Sequence, residues 1–135
     1  MTLKNIAIAG MTVEVDPTTV VPPGTVVATI VVAPPTGTKV TAGGGLVHRD
    51  GDKITVSAIT VTEPGATIPD PGPYDVAFSS TAAAVKAEGI EVLLEGDQTA
   101  TINATPQIPG TPPTNYPVSF KCKVSAAGQD KVKAD

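Results

Sequence analysis

The chain has 135 residues, among them 14 prolines and 13 glycines, with two Phe, two Tyr, no Trp and only 16% charged residues. So little charge beside so many aliphatic residues argues against intrinsic disorder, and the lack of Gly at every third position excludes a collagen helix. A net charge of −4 and a pI near 4.8 argue against the basic stripe of a nucleic-acid binder.

In chain order, the start from Met1 to Gly10 has one lysine and a short apolar run broken by Asn5, and Thr12 to Asp16 alternates with acidic Glu14 and Asp16. That pattern predicts a strand and not a signal peptide. Val26 to Ala33 is an eight-residue aliphatic run stopped by Pro34-Pro35, far short of the roughly 20 residues a membrane helix needs. Lys53 to Thr62 and Val118 to Val124 are rich in β-branched residues and partly alternate, so both predict strands. Ser80 to Ala87 holds good helix formers but no amphipathic stripe, which leaves it as a turn or strand. Turns are expected at Pro22-Pro-Gly24, Gly43-Gly-Gly45, Asp50-Gly-Asp52, Pro69 to Pro73 and Pro109 to Pro113.

The catalytic inventory is thin. One histidine, His48, and one cysteine, Cys122, leave no intramolecular disulfide and too few imidazoles for most catalytic zinc sites. No nucleophile elbow, phosphate loop or dinucleotide fingerprint occurs. A non-enzymatic, all-β single domain over residues 1–135 is the expectation, with no cofactor.

An internal repeat organises the sequence. An offset of 45 residues lays Val40 to Asp52 on Val85 to Asp97, matching Val40 with Val85, Ala42 with Ala87, Gly44 with Gly89 and Val47 with Val92. The acidic-Gly-Asp turns coincide. Further on, Ile68 to Phe78 resembles Ile108 to Phe120, each with Ile-Pro, prolines and a Tyr, Val, Phe order. A third copy is split: Lys131 to Asp135 repeats the Val85-Lys-Ala87 opening, and the N-terminus supplies the Gly10 turn and the strand from Thr12. Units at roughly 40–84, 85–131, and 132–135 with 1–39 predict a pseudo-threefold domain of β-hairpin repeats that tapers to a tip.

Repeated x-Gly-Asp turns at Gly51-Asp52 and Gly96-Asp97, the Val85-Lys-Ala-Glu-Gly89 unit and the threefold repetition resemble the PAAR and PAAR-like spike-tip family. The resemblance implies a non-catalytic cap on the trimeric needle of a contractile injection machine or phage tail, at one copy per trimer. It further implies effector cargo, transient contact with a target membrane, and synthesis in the cytoplasm before assembly into a particle that acts outside the cell. No Pro-Ala-Ala-Arg is present. Of the family's His and Cys metal set only His48 and Cys122 exist here, so they are the candidates should a single structural metal ion bind.

Bland roles compete at each residue. His48 reads as a hairpin histidine, and Cys122, between Lys121 and Lys123, as an inward apolar residue. Asp50, Asp52, Glu95 and Asp97 read as turn carboxylates because the calcium-loop order fails. Tyr74 and Tyr116 suggest a shared packing role, and Lys121, Lys123, Lys131 and Lys133 suggest edge-strand gatekeepers. The alternative architecture is a β-sandwich decoration or adhesion module on a capsid or cell surface. A small peptidoglycan hydrolase ranks last, for want of a facing carboxylate or Cys-His pair.

Overall fold

The computed structural model describes residues 3–63, 66–110 and 112–135. Met1 and Thr2 of the expected N-terminal strand, and Thr111 of the second proline turn, lie outside the described residues. The fold is all-β. Its strands are β1 (Lys4–Asn5), β2 (Thr12–Val21), β3 (Thr25–Val32), β4 (Thr41–Ala42), β5 (Gly45–Leu46), β6 (Lys53–Glu63), β7 (Ala66–Asp70) and β8 (Tyr74–Ala77). They continue with β9 (Lys86–Ala87), β10 (Ile90–Glu91), β11 (Ile102–Ala104), β12 (Gln107–Ile108), β13 (Thr114–Asn115), β14 (Val118–Ala126) and β15 (Lys133–Ala134). The Ser80 to Ala87 stretch is irregular until it enters β9, as its missing amphipathic stripe foreshadows.

Three short segments cross one another near the middle of the fold. His48 N–H donates to the Ala7 carbonyl, Ala7 N–H to the Leu93 carbonyl, and Leu93 N–H back to the His48 carbonyl, each at 2.9 Å. The cycle closes after three steps. A second cycle runs in the opposite sense, from Asp50 N–H to Glu91 (2.8 Å), Glu95 N–H to Asn5 (2.9 Å) and Ala9 N–H to Leu46 (2.8 Å). Single antiparallel bridges join the same segments pairwise, Ile8 with Val47, Arg49 with Val92 and Leu94 with Ile6.

Each crossing segment is fed by a two-residue hairpin. β4 pairs β5, β9 pairs β10, and β15 pairs β1, so the third hairpin is made of the two chain ends. Each hairpin is closed further by an N–H donating seven residues back or across the ends: Val47 to Val40 (3.1 Å), Val92 to Val85 (3.2 Å) and Ile6 to Val132 (3.1 Å). Each segment leaves through a tight turn with Gly at φ 91° (Gly10), 88° (Gly51) or 94° (Gly96), a left-handed conformation that costs a side-chain-bearing residue about 1–2 kcal/mol. Where the third hairpin lacks a connecting turn, Gln129 closes it. Its amide Nε2 donates to Ile6 and Val132 carbonyls, and its Oε1 accepts from Lys131 and Val132 N–H.

Alternation along the crossing segments divides the interior in two, because successive side chains of an extended chain point to opposite faces. Ile6, Ile8, Val47, Val92 and Leu94 join Ala42, Ala87 and Ala134 in a small core under the hairpins. Ala7 and Leu93, between them, join the larger core with Phe78, Phe120 and Cys122. The three alanines, Ala42, Ala87 and Ala134, come one from each hairpin.

The larger core is wrapped by strand pairs that continue each segment. β6 pairs with β3 on one side and with β8 and β7 on the other. β14 lies between β11 and β2. The two sheets are joined where Phe78 bridges Thr99 and Ala100 N–H donates to the Ala77 carbonyl at 3.0 Å. The aromatic stretches do not occupy matching places in this scheme. Gly51 and Asp52 exchange bonds with Phe78, whereas Gly96 and Asp97 exchange them with Val124, so the counterpart of Phe78 is Val124 and not Phe120. The reason is that β14 runs beyond its aromatic start to pair along β2 as far as Ala126, six residues past Phe120.

A bulge in β6 places Ala58 at φ 49°, with its N–H on the Pro71 carbonyl at 3.1 Å. Ala58→Gly is predicted to raise stability by about 1 kcal/mol by relieving that conformation, measured as the urea midpoint. Gln129→Ala is predicted to cost about 2 kcal/mol, because it removes the hydrogen bonds that join the chain ends.

Candidate functional site

The only histidine sits on the central ring. The His48 Nδ1 lies 2.7 Å from Asp52 Oδ2, and both side chains are buried. Asp52 also accepts from Thr36 Oγ1 at 2.6 Å and Arg49 N–H at 3.1 Å. Burial alone would raise this carboxyl, but the bonds from His48, Thr36 and Arg49 outweigh it and hold the group below its ordinary value of 3.8.

Asp97 does the same work in the second turn, accepting from Leu94 N–H at 2.8 Å and from the hydroxyl and N–H of Thr81. Thr36 and Thr81 are themselves separated by the repeat offset. In the third turn Met11 stands where the others have aspartate, and the Ile8 N–H is taken instead by the Ala127 carbonyl at 2.9 Å. Asp50 accepts from Ser80 N–H at 2.7 Å, and Glu95 from Asn5 Nδ2 at 3.0 Å. All four acidic turn residues are therefore hydrogen-bond fasteners. Among the described residues no group of three or more His, Cys, Asp or Glu side chains is arranged to hold a metal ion.

Cys122 lies in the larger core, where burial pushes its thiol up to about 11. At neutral pH it is a protonated, buried thiol, poorly suited to nucleophilic attack or metal ligation. His48 is committed to Asp52 and Cys122 to the apolar core. Tyr74 and Tyr116 both pack against that core. Tyr74 donates to Asp70 at 2.6 Å, while the Tyr116 N–H donates to the Pro106 carbonyl at 2.8 Å. Lys121 and Lys123 are not edge gatekeepers, since β14 is flanked on both sides. They alternate with Cys122 and Val124 on the outward face of a central strand.

Two buried carboxylates escaped the sequence reading. Asp16 accepts from Thr18 N–H (3.0 Å), Thr18 Oγ1 (2.7 Å) and Gln98 Nε2 (2.7 Å), and the Thr18 hydroxyl leads in lowering its pKa. Asp70 accepts from Gly72, Tyr74 and Thr105. Burial opposes its ionisation, yet those three bonds hold its carboxyl low. The Asp-Pro-Thr order at Asp16 is the local signal of an aspartate turn, whereas the Thr105 and Gln98 partners are remote in sequence.

An open cleft of about 450 Å³ runs beside the chain ends, where Lys4, Lys123 and Lys133 mingle with Glu14 and Glu95. Its mixed charges define no single ligand class. Set against known proteins, the chain matches no family model, no curated protein and no solved structure.

The lowered carboxyls of Asp16, Asp52 and Asp70 fix a pH dependence. A folded-state value below the unfolded one stabilises the protein above the unfolded value near 3.8, and that contribution is lost as pH falls through the lower folded value. Stability is predicted to drop as pH falls below about 4. The double variant Asp52→Asn, Asp70→Asn should flatten that acid slope while costing roughly 2–5 kcal/mol at pH 7. Urea midpoints measured from pH 2.5 to 7 check both; an unchanged slope would contradict the assignment.

Proposed function

We propose that this chain is a non-catalytic cap for the end of a trimeric spike, seated at one copy per trimer and sharpening it for membrane puncture. The carrier is a contractile injection machine or phage tail. The observation that carries this reading is the cyclic exchange of hydrogen bonds among the segments around Ala7, His48 and Leu93. One polypeptide that presents three equivalent segments about one axis can meet a threefold partner surface without breaking its own symmetry. Tight packing of Ala42, Ala87 and Ala134 under the hairpins suits a narrow end that must resist load. Effector cargo and transient membrane contact belong to the same proposal, as does synthesis in the cytoplasm followed by assembly into an exported particle. No bound metal is needed, because the buried bonds of Asp52 and Asp97 hold the turns that a metal would otherwise have to fix.

Native mass spectrometry of the chain mixed with its trimeric spike protein tests this. The expected result is one copy per trimer. Three copies per trimer, or a stable homotrimer of the chain alone, would contradict it. No binding would favour a decoration or adhesion module instead.

A further inference from the structure

Charge is unevenly spread over the fold. From Pro17 to Thr38 and from Gln98 to Phe120 no residue is charged, and between Ile54 and Tyr74 only Glu63 and Asp70 are. Asp70 is buried, with its carboxylate taken by Gly72, Tyr74 and Thr105. Strand register gathers the middles of these three spans at one end. β6 leaves the ring at Lys53 and runs 11 residues to Glu63, a reach of roughly 30 Å. Thr62 pairs with Thr25, so the turn at 22–24 lies beside the end of β6. Val21 pairs with Ser119, which brings the start of β14 to the same end, and β12 lies beside β7. β2 and β3 share no ladder, which leaves an open seam between them.

Each unit sends one chain reversal to this far end. One is at 22–24 after β2, one between Glu63 and Ala66 after β6, and one between Ile108 and Thr114 after β12. Val21, Val27 and Ile108 are exposed there. The hairpin end, from which the chain enters the ring, also exposes apolar side chains at Leu3, Val40, Ile90 and Val132. There, however, Lys4, Lys39, Lys86, Lys131 and Lys133 stand exposed among them. Charge is depleted at the cores of protein interfaces and kept on surfaces that stay in water, so the two ends suit different surroundings.

We propose that the uncharged far end is the seat for the trimeric spike and that the hairpin end leads. This rests on the spike-cap reading and adds to it which surface the spike covers. The occupant is a threefold protein surface that is itself uncharged where the two meet, because Thr25, Thr114 and the exposed Val21 and Ile108 offer it no ion pair. Three reversals, one from each unit, give such a surface three points of contact about one axis.

Two double variants separate the ends by placing carboxylates at exposed positions. Thr25→Glu with Ile108→Glu alters the far end, and Val40→Glu with Ile90→Glu alters the hairpin end; urea midpoints check that both stay folded. In titrations read by native mass spectrometry, the far-end variant is expected to bind the trimeric spike protein at least about tenfold more weakly, because a carboxylate buried against an uncharged surface has no partner. The hairpin-end variant should bind like the unaltered chain. Amide exchange of the unaltered chain is a readout that needs no variant: the spike should slow exchange around Thr25 and Ile108 and not around Val40 and Ile90. If the far-end variant bound undiminished, the hairpin-end variant lost as much, or the slowing fell on the hairpin end, the inference would fail while the spike-cap reading stood. Slowed far-end exchange without the spike that grows with protein concentration would also overturn it, since a second copy would then cover that end. No complex with the unaltered chain would overturn both.

Discussion

Three backbone hydrogen bonds, from His48 to Ala7, Ala7 to Leu93 and Leu93 to His48, are the constraint on which the rest of the fold depends. They tie residues from the first, middle and last thirds of the chain into one closed loop. No two of these residues are neighbours in sequence, so the ring forms only when all three segments arrive. Once it exists, the alternation of side chains along each segment sends Ala7 and Leu93 to one core and Ile6, Ile8, Val47, Val92 and Leu94 to the other. The layer between the two cores is thus main chain whose polar groups are mutually satisfied, which is what permits its burial.

The ring also explains where the sequence spends its polar side chains. A turn that exits the ring leaves one inward-pointing N–H without a partner. Asp52 and Asp97 answer it with a carboxylate oxygen, and Thr36 and Thr81 then hold the second oxygen. With Met11 in the third turn, a backbone carbonyl at Ala127 answers it. His48 is the one polar side chain among the three central residues, and Asp52 partners it. Asp16, Asp52, Asp70 and Asp97 each hold two or more hydrogen bonds that fasten a turn or a strand end.

Much of this was legible. Val47 with Val92, Gly51 with Gly96 and Asp52 with Asp97 align at one offset and make the same backbone bonds. The strands Lys53 to Thr62 and Val118 to Val124 were visible in β-branched composition, and Cys122 pointed inward by alternation, as its burial shows. The aromatic stretches misled, because similar order in Tyr74 to Phe78 and Tyr116 to Phe120 does not survive the different length of β14. Asp16, Asp70 and Gln129 were hidden for a simpler reason. Besides local bonds at Thr18, Tyr74 and Val132, their partners lie at Gln98, Thr105 and Ile6, 82, 35 and 123 residues away, and no local pattern records a contact so remote. The open seam between β2 and β3 was likewise invisible, since a strand's sequence does not say which of its edges is left unpaired.

In the reading proposed above, a single chain that builds three crossings about an axis meets a partner of threefold symmetry with a matched surface. Everything in that account rests on the ring being the most stable element of the molecule. Native-state amide exchange at Ala7, His48 and Leu93 tests this most directly. The three amides should exchange together, only through global unfolding, and more slowly than those of β12 and β13. If one of them exchanged by local opening well before the other two, the three segments would not be acting as a closed unit, and the ring would not be what holds the fold together.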